Sequence, residues 1–180
     1  MASVRQRIGG YAVDMVIFAA VSMVVTVIAG LQLLLVTHGA TQDSSKSVYA
    51  FLAIVGMGIP LAWSVLNLAL LATRGQTGGQ YVAGVRLLRD DGGHFSARDA
   101  AAWWFCLNPV LFSWPSAVTT ALPLAFVSSL VLSRLGIVAF GVVLTLCLVA
   151  PLLAIVSALL DRQNRTLHDR IVGVIVVPAE

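Results

Sequence analysis

An aspartate interrupts the first apolar run of this chain, and that position restricts what the chain can fold into more than any other. After Arg7 the sequence reads Ile8-Gly9-Gly10-Tyr11-Ala12-Val13, then Asp14, then an apolar run to about Val36. Arg7 and Asp14 are seven residues apart, so a helix turns both to one face, about 10 Å apart along its axis. A carboxylate that deep in lipid costs roughly 2.5–3.5 kcal/mol on insertion scales. It therefore needs a partner or a wet cavity, and Arg7 is the first candidate.

That the surroundings are lipid follows from composition. Of the 180 residues, 59% are apolar and only 11% charged, against about 25% charged in a soluble domain. One small core cannot hide so much apolar surface, so a bilayer must solvate part of it. The net charge is +3, and the basic residues fall in the gaps between apolar runs, which fits membrane topology and not nucleic-acid binding. Cys106 and Cys147 lie inside apolar segments and read as small packing residues, not as a disulfide or a metal pair. A signal peptide is the rival reading of the amino terminus, but its apolar core would be about 7–15 residues; this run is longer and broken by Asp14, so it reads as a retained span.

Four spans are expected, at about 9–35, 48–72, 115–132 and 137–160, each near the length that crosses a core of about 30 Å. Pro60, beside Gly56 and Gly58, predicts a kink in the second. Between the second and third lies a hydrophilic loop, 73–99, with a glycine-rich turn, a strand-like stretch over 81–89, and a tight turn at Asp90-Asp91-Gly92-Gly93. Residues 100–112, with Trp103 and Trp104, read as an interfacial or re-entrant helix. The four tryptophans, Trp63, Trp103, Trp104 and Trp114, read as interface anchors. The tail, 161–180, is first polar and basic and then β-branched over 171–178, a run too short to cross a bilayer and suited to pairing with 82–88.

The expected fold class is all-α transmembrane: a four-helix membrane bundle with a small cytoplasmic β-element and one interfacial or re-entrant helix, all in one domain, 1–180. Arginines at 5 and 7, at 74, 86, 89 and 98, and at 162, 165 and 170 put both termini and the middle loop in the cytoplasm by the positive-inside rule. The localisation expected is the inner cell membrane, multi-pass, with the lipid bilayer as the first partner.

Gly75-Gln76-Thr77-Gly78-Gly79 resembles a phosphate-cradling loop only weakly, because the Gly-Lys-Ser/Thr ending is missing. Taken with Arg7 and Asp14, with Gly84-Val85-Arg86-Leu87-Leu88 and with Leu167-His168-Asp169, this turn makes the chain resemble the RDD family of membrane proteins. The family takes its name from one arginine and two aspartates, which by this resemblance are Arg7, Asp14 and Asp169. Where the family usually carries a lysine in the glycine turn, this chain has Gln80. The resemblance implies a small membrane protein proposed to move ligands, with sodium/proton antiport among reported members.

Two roles stand side by side for each charged group. Asp14 either locks helices by pairing with an arginine or acts as a titrating, cation-binding carboxylate. Thr166 is placed to cap a short helix with Asp169 at its third position; alternatively Asp169 or His168 approaches Arg7 or the glycine turn near the cytoplasmic face, with His168 as a proton-handling group. Ser22, Thr26, Gln32, Ser64 and Asn67 are read as interhelical hydrogen-bonding residues. No metal-ligand cluster, nucleophile–base pair or cofactor motif is legible, so no enzyme and no cofactor is expected. The leading expectation is a transport-related protein, exchanging cations and protons or moving an unknown ligand through Asp14. The alternative is an accessory or assembly subunit of a larger membrane complex, with a homo-oligomer or a larger membrane protein as partner. Either way, one polar cluster is expected at the cytoplasmic third of the membrane, with Arg7 between the two aspartates.

Overall fold

The computed structural model describes residues 1–39, 45–121 and 133–179. Three helices in it are long and apolar enough to cross a membrane: α1 (Val4–Val36), α2 (Ser45–Arg74) and the Phe140–Leu160 part of a helix that begins at Ser133. The expected third span, 115–132, falls mostly outside the described residues. Only its start is seen, as a helical turn over Trp114–Ser116 that continues as a π-helical turn over Ala117–Ala121. Residues 100–112 do not cross. Their helix is Ala97–Phe105, and nine residues reach only about 14 Å.

Helix α1 has 33 residues, so it is about 50 Å long and exceeds a hydrocarbon core of about 30 Å. It starts earlier than the apolar run suggests, because Ser3 and Gln6 form a reciprocal capping box that fixes its first turn. The face α1 buries is Arg7, Gly10, Asp14, Phe18, Ser22 and Ala29, spaced by three, four or seven residues as one helical stripe must be. This stripe is mostly small or polar, while Val16, Met23, Val27, Leu31 and Leu35 are exposed. A soluble helix does the opposite; in lipid, close packing and polar contacts drive helix association.

The extra length of α1 lies beneath a polar head built from the middle loop and the tail. Gly75 ends α2 with a left-handed φ of 65°, its N–H bonded to the Leu71 carbonyl, the usual glycine stop for a helix. A short helix, α3 (Gly78–Val82), comes next, then strand β1 (Val85–Arg89). Tyr81 and Val82, expected in a strand, are helical because Thr77 caps α3 and starts a helical turn in front of them. The head also holds α4 (Ala97–Phe105) and, after the Trp114–Ser116 turn (α5) and the Ser133–Leu160 helix (α6), α7 (Leu167–Val172) and strand β2 (Val174–Pro178).

Strands β1 and β2 pair antiparallel, Val85 opposite Pro178, Leu87 opposite Val176 and Arg89 opposite Val174. Alternate residues turn inward, so Val85, Leu87, Val174 and Val176 are buried. The pairing anticipated between 82–88 and 171–178 is present, shifted by a few residues. The chain start is bound into it too, through the Ala2 N–H on the Val176 carbonyl at 2.8 Å. What the structure supports is thus a mostly helical membrane fold with three candidate spans and a two-stranded sheet.

Candidate functional site

Arg7 and Asp14 leave the same face of α1 but do not pair with each other. Each is met by a different part of the head: the expected approach of Asp169 to Arg7 is present, while the expected contact between Arg7 and Asp14 is not, so Arg7 does not bridge the two aspartates. The Asp14 carboxylate is fully buried. One oxygen accepts the Thr77 hydroxyl at 2.6 Å, the other the Gly79 backbone N–H at 2.7 Å. Thr77 is the N-cap of α3, and its oxygen accepts from the Gln80 N–H at 3.1 Å while donating to Asp14. The Asp14 carboxyl group therefore sits against the first turn of α3, where free N–H groups point outward.

Contact this close needs glycine at position 79. A Cβ on Gly79 would stand 2.0 Å from the Gly10 carbonyl oxygen and 2.7 Å from the Asp14 carboxyl carbon. No side chain fits there, so Gly79 is what lets the backbone of α3 press against α1. Gln80 completes the turn: its side-chain oxygen accepts the Thr77 N–H at 2.9 Å. A lysine, as the resemblance anticipates here, has no acceptor to offer. In this chain the position stabilises the turn through a reciprocal capping box.

Asp169, the other aspartate, collects the cation. It is fully buried and forms a salt bridge with Arg7 Nη1. It also accepts Trp103 Nε1 at 2.8 Å and the Thr166 N–H at 3.1 Å. The Thr166 contact is the capping geometry expected from sequence, with Asp169 at the third position of α7. His168 is buried as well; its Nδ1 lies 3.0 Å from the Thr166 hydroxyl, and its ring packs 5.1 Å from that of Trp103. Burial acts to raise the Asp169 pKa, but His168, Arg7 and the Trp103 donor together hold it below the usual carboxylate value. Burial lowers the His168 pKa, with Arg7 adding to the effect and Asp169 opposing it.

Arg7 is only half used. Nε and Nη2 are buried with no hydrogen-bond partner, and Tyr11, one turn along α1, packs against the guanidinium. Burying a cation this way costs several kcal/mol on the order of that for any desolvated ion, and the Asp169 contact is what offsets it.

Three residues of this site were invisible in the sequence as functional: Trp103, Tyr11 and Thr166 in its contact with His168. Trp103 read as an interface anchor, yet Trp63, Trp103 and Trp104 are all buried and only Trp114 is exposed. A buried tryptophan needs an acceptor for its N–H. Trp103 finds Asp169, and Trp104 finds the Ser64 hydroxyl at 3.1 Å; that unmet need was the available signal. Of the polar residues in the spans, Ser64 thus bonds between helices. Asn67 instead donates to the Trp63 carbonyl of its own helix at 3.0 Å, the Ser22 hydroxyl has no partner, and Thr26 and Gln32 are exposed. Among the described residues, no three His, Cys, Asp or Glu side chains gather in a way that could hold a metal.

Gly75 and Gln76 complete the turn motif from the other side. The Gly75 carbonyl accepts the Leu87 N–H at 2.9 Å, and the Gln76 amide donates to the Val85 carbonyl at 3.0 Å. A Cβ on Gly78 would meet Ile17 of α1 at 2.6 Å. The whole turn therefore joins β1 to α1. Neither a curated protein nor a solved structure matches the chain. Residues 1–173 do match the RDD family, a stretch that contains the arginine, both aspartates and the glycine turn, and the chain belongs to that family.

Proposed function

We propose that this chain is a non-catalytic accessory or assembly module of the inner cell membrane, whose charged residues hold a polar head on its spans for presentation to a larger membrane-protein partner. One observation carries this reading: each aspartate is already bound inside the chain. Asp14 is held by Thr77 and Gly79, and Asp169 by Arg7, Trp103 and Thr166. Groups that must load and release an ion are poorly served by partners of this kind, while groups that fix a tertiary arrangement need them. The cavities along the spans support the same reading, being lined mostly by apolar side chains among the described residues. By the arginine distribution, the head and both termini face the cytoplasm. The test is affinity purification of the tagged full chain in mild detergent. A stoichiometric larger partner, lost when Gly79→Ala disturbs the head, supports the module; a chain that purifies alone from cells at native level counts against it.

The transport reading keeps one observation in its favour: neither hydrogen-bond partner of Asp14 is a cation. A buried carboxylate with neutral partners can exchange a proton for a cation. Proteoliposomes carrying a pH-sensitive dye separate the two readings. Cation-driven proton flux that Asp14→Asn abolishes, in a variant that still folds, establishes exchange; absence of flux in the wild type removes it.

A further inference from the structure

A groove of about 400 Å³ runs along the outside of the bundle between α1 and α6, with Ile8, Ala12 and Met15 on one wall and Leu152 and Ile155 on the other. Trp114 of α5 also lines it. Its volume is within the range of about 300–1,000 Å³ typical of small-molecule sites. Ile8, Ala12, Trp114, Leu152 and Ile155 are all exposed, so the groove opens sideways, where the apolar helices meet lipid.

Two arginines lie beyond the head end of this apolar groove. On α1, residues 5, 8, 12 and 15 share a face by their spacing, which sets Arg5 one turn beyond Ile8. On the other wall, Arg162 follows Ile155 by seven residues, just past the end of α6. The two helix ends lie on the same side of the molecule, because Arg7 bonds Asp169 and the Leu167 N–H bonds the Ser157 hydroxyl at 2.8 Å. Arg5 and Arg162 are exposed, and neither takes part in an ion pair among the described residues. Other charges nearby are already paired: Arg7 with Asp169, and Asp161 with Arg165 at 3.5 Å.

We propose that this groove is a binding site for one anionic glycerophospholipid of the surrounding bilayer. An acyl chain lies between α1 and α6, and the phosphate sits at the head end against Arg5 and Arg162. The charge pattern selects this occupant: an apolar slot alone suits any lipid tail, but two arginines without ion pairs at the head-side ends of its two walls discriminate for an anionic headgroup. A second copy of the chain would bring the same arginines and repel itself there.

The test uses the purified full chain in detergent, titrated with dioleoyl phosphatidylglycerol or dioleoyl phosphatidylcholine, with bound lipid read by native mass spectrometry. Phosphatidylglycerol is expected to form the tighter single adduct. Arg5→Gln with Arg162→Gln is expected to weaken it on the order of 25-fold, about five-fold per arginine, and to weaken the phosphatidylcholine adduct, whose phosphate is neutralised by its own choline, much less. Ala12→Trp fills the slot from an exposed position and is expected to remove both adducts; Ile155→Trp does so from the opposite wall if the first variant misfolds. Equal phosphatidylglycerol binding in the double-arginine variant overturns the proposal. So does an adduct that persists in a folded slot-filling variant, or a slot-filling variant that changes the oligomeric state and not the lipid count.

Discussion

Arg7 and Asp169 form a buried ion pair, and such pairs matter more when broken than when present. Removing one partner leaves a buried charge uncompensated and costs about 3–5 kcal/mol, whereas replacing both is often nearly neutral. Arg7→Met is therefore expected to destabilise the protein by that amount, and to cost much less in an Asp169→Asn background. A double-mutant cycle read by thermal denaturation in detergent checks this; equal costs in the two backgrounds would sink it. His168 adds a pH dependence. Its folded pKa is lowered by burial, from a reference of about 6.5, so below that pH the unfolded chain takes up a proton that the folded one resists. Stability is therefore complete above about pH 6.5 and falls as the pH drops toward the folded value. Asp169, also lowered, adds its loss in the same direction but only below about pH 3.9. Melting temperatures from pH 7.5 to 5 should fall for the wild type and stay flatter for His168→Asn; parallel curves contradict the assignment. The residue scale was partly legible from sequence. Arg7, Asp14 and Asp169 were legible as charges in need of partners, and the approach of Asp169 to Arg7 was one of the alternatives, but the turn of Asp14 to Thr77 and Gly79 was not, because a shared helix face says nothing about what is packed against it.

At the scale of elements, the contact between α1 and α3 is the one that leaves no room. Gly9 and Gly10 are adjacent on α1, yet a Cβ on Gly9 meets nothing within 4 Å, while one on Gly10 would stand 3.4 Å from the Gly79 carbonyl oxygen. Gly9→Ala is accordingly expected to stabilise the helix by up to about 1 kcal/mol, the difference in helix propensity. Gly79→Ala forces a backbone shift and is expected to cost at least about 1–3 kcal/mol, as overpacking does. Thermal unfolding of both variants checks the pair, and a neutral Gly79→Ala contradicts the close contact. The α3 helix itself was missed in sequence, where 81–89 read as strand. Thr77 and Gln80 form a capping box there, but a helix of five residues is too short to leave a periodic signal. The strands β1 and β2 were legible because β-branched runs too short to cross lipid have few other fates.

Across the whole molecule, three long apolar helices carry a polar head at the end where α1 begins and α6 stops. The turn at His38 lies at the far end of α1, more than a bilayer core away along the helix. A reporter inserted after His38 is expected on the side of the membrane opposite to one fused at the carboxyl terminus. Protease protection or a compartment-sensitive enzyme fusion reads this, and the same side for both contradicts a crossing by α1. The tail is as much a part of the fold as the spans. Removing residues 161–180 takes away Asp169 and β2, strips the partner from Arg7 and unpairs β1, so the truncated chain is expected to fail to accumulate in the membrane.

The sequence by itself determined that the chain enters a membrane, since apolar content and run length leave no soluble alternative. It also determined which charges had to be buried, because an isolated carboxylate in an apolar run cannot be left in lipid. Only the tertiary structure decided the pairing. Arg7 turns to Asp169, 162 residues away, and Asp14 to Thr77 and Gly79, because α3 docks on one stripe of α1 while α7, packed on α4 and α6, sets Asp169 against Arg7. That docking rests on the absence of a side chain at Gly79 and on the geometry of two short capped helices, neither of which the periodicity of a sequence records.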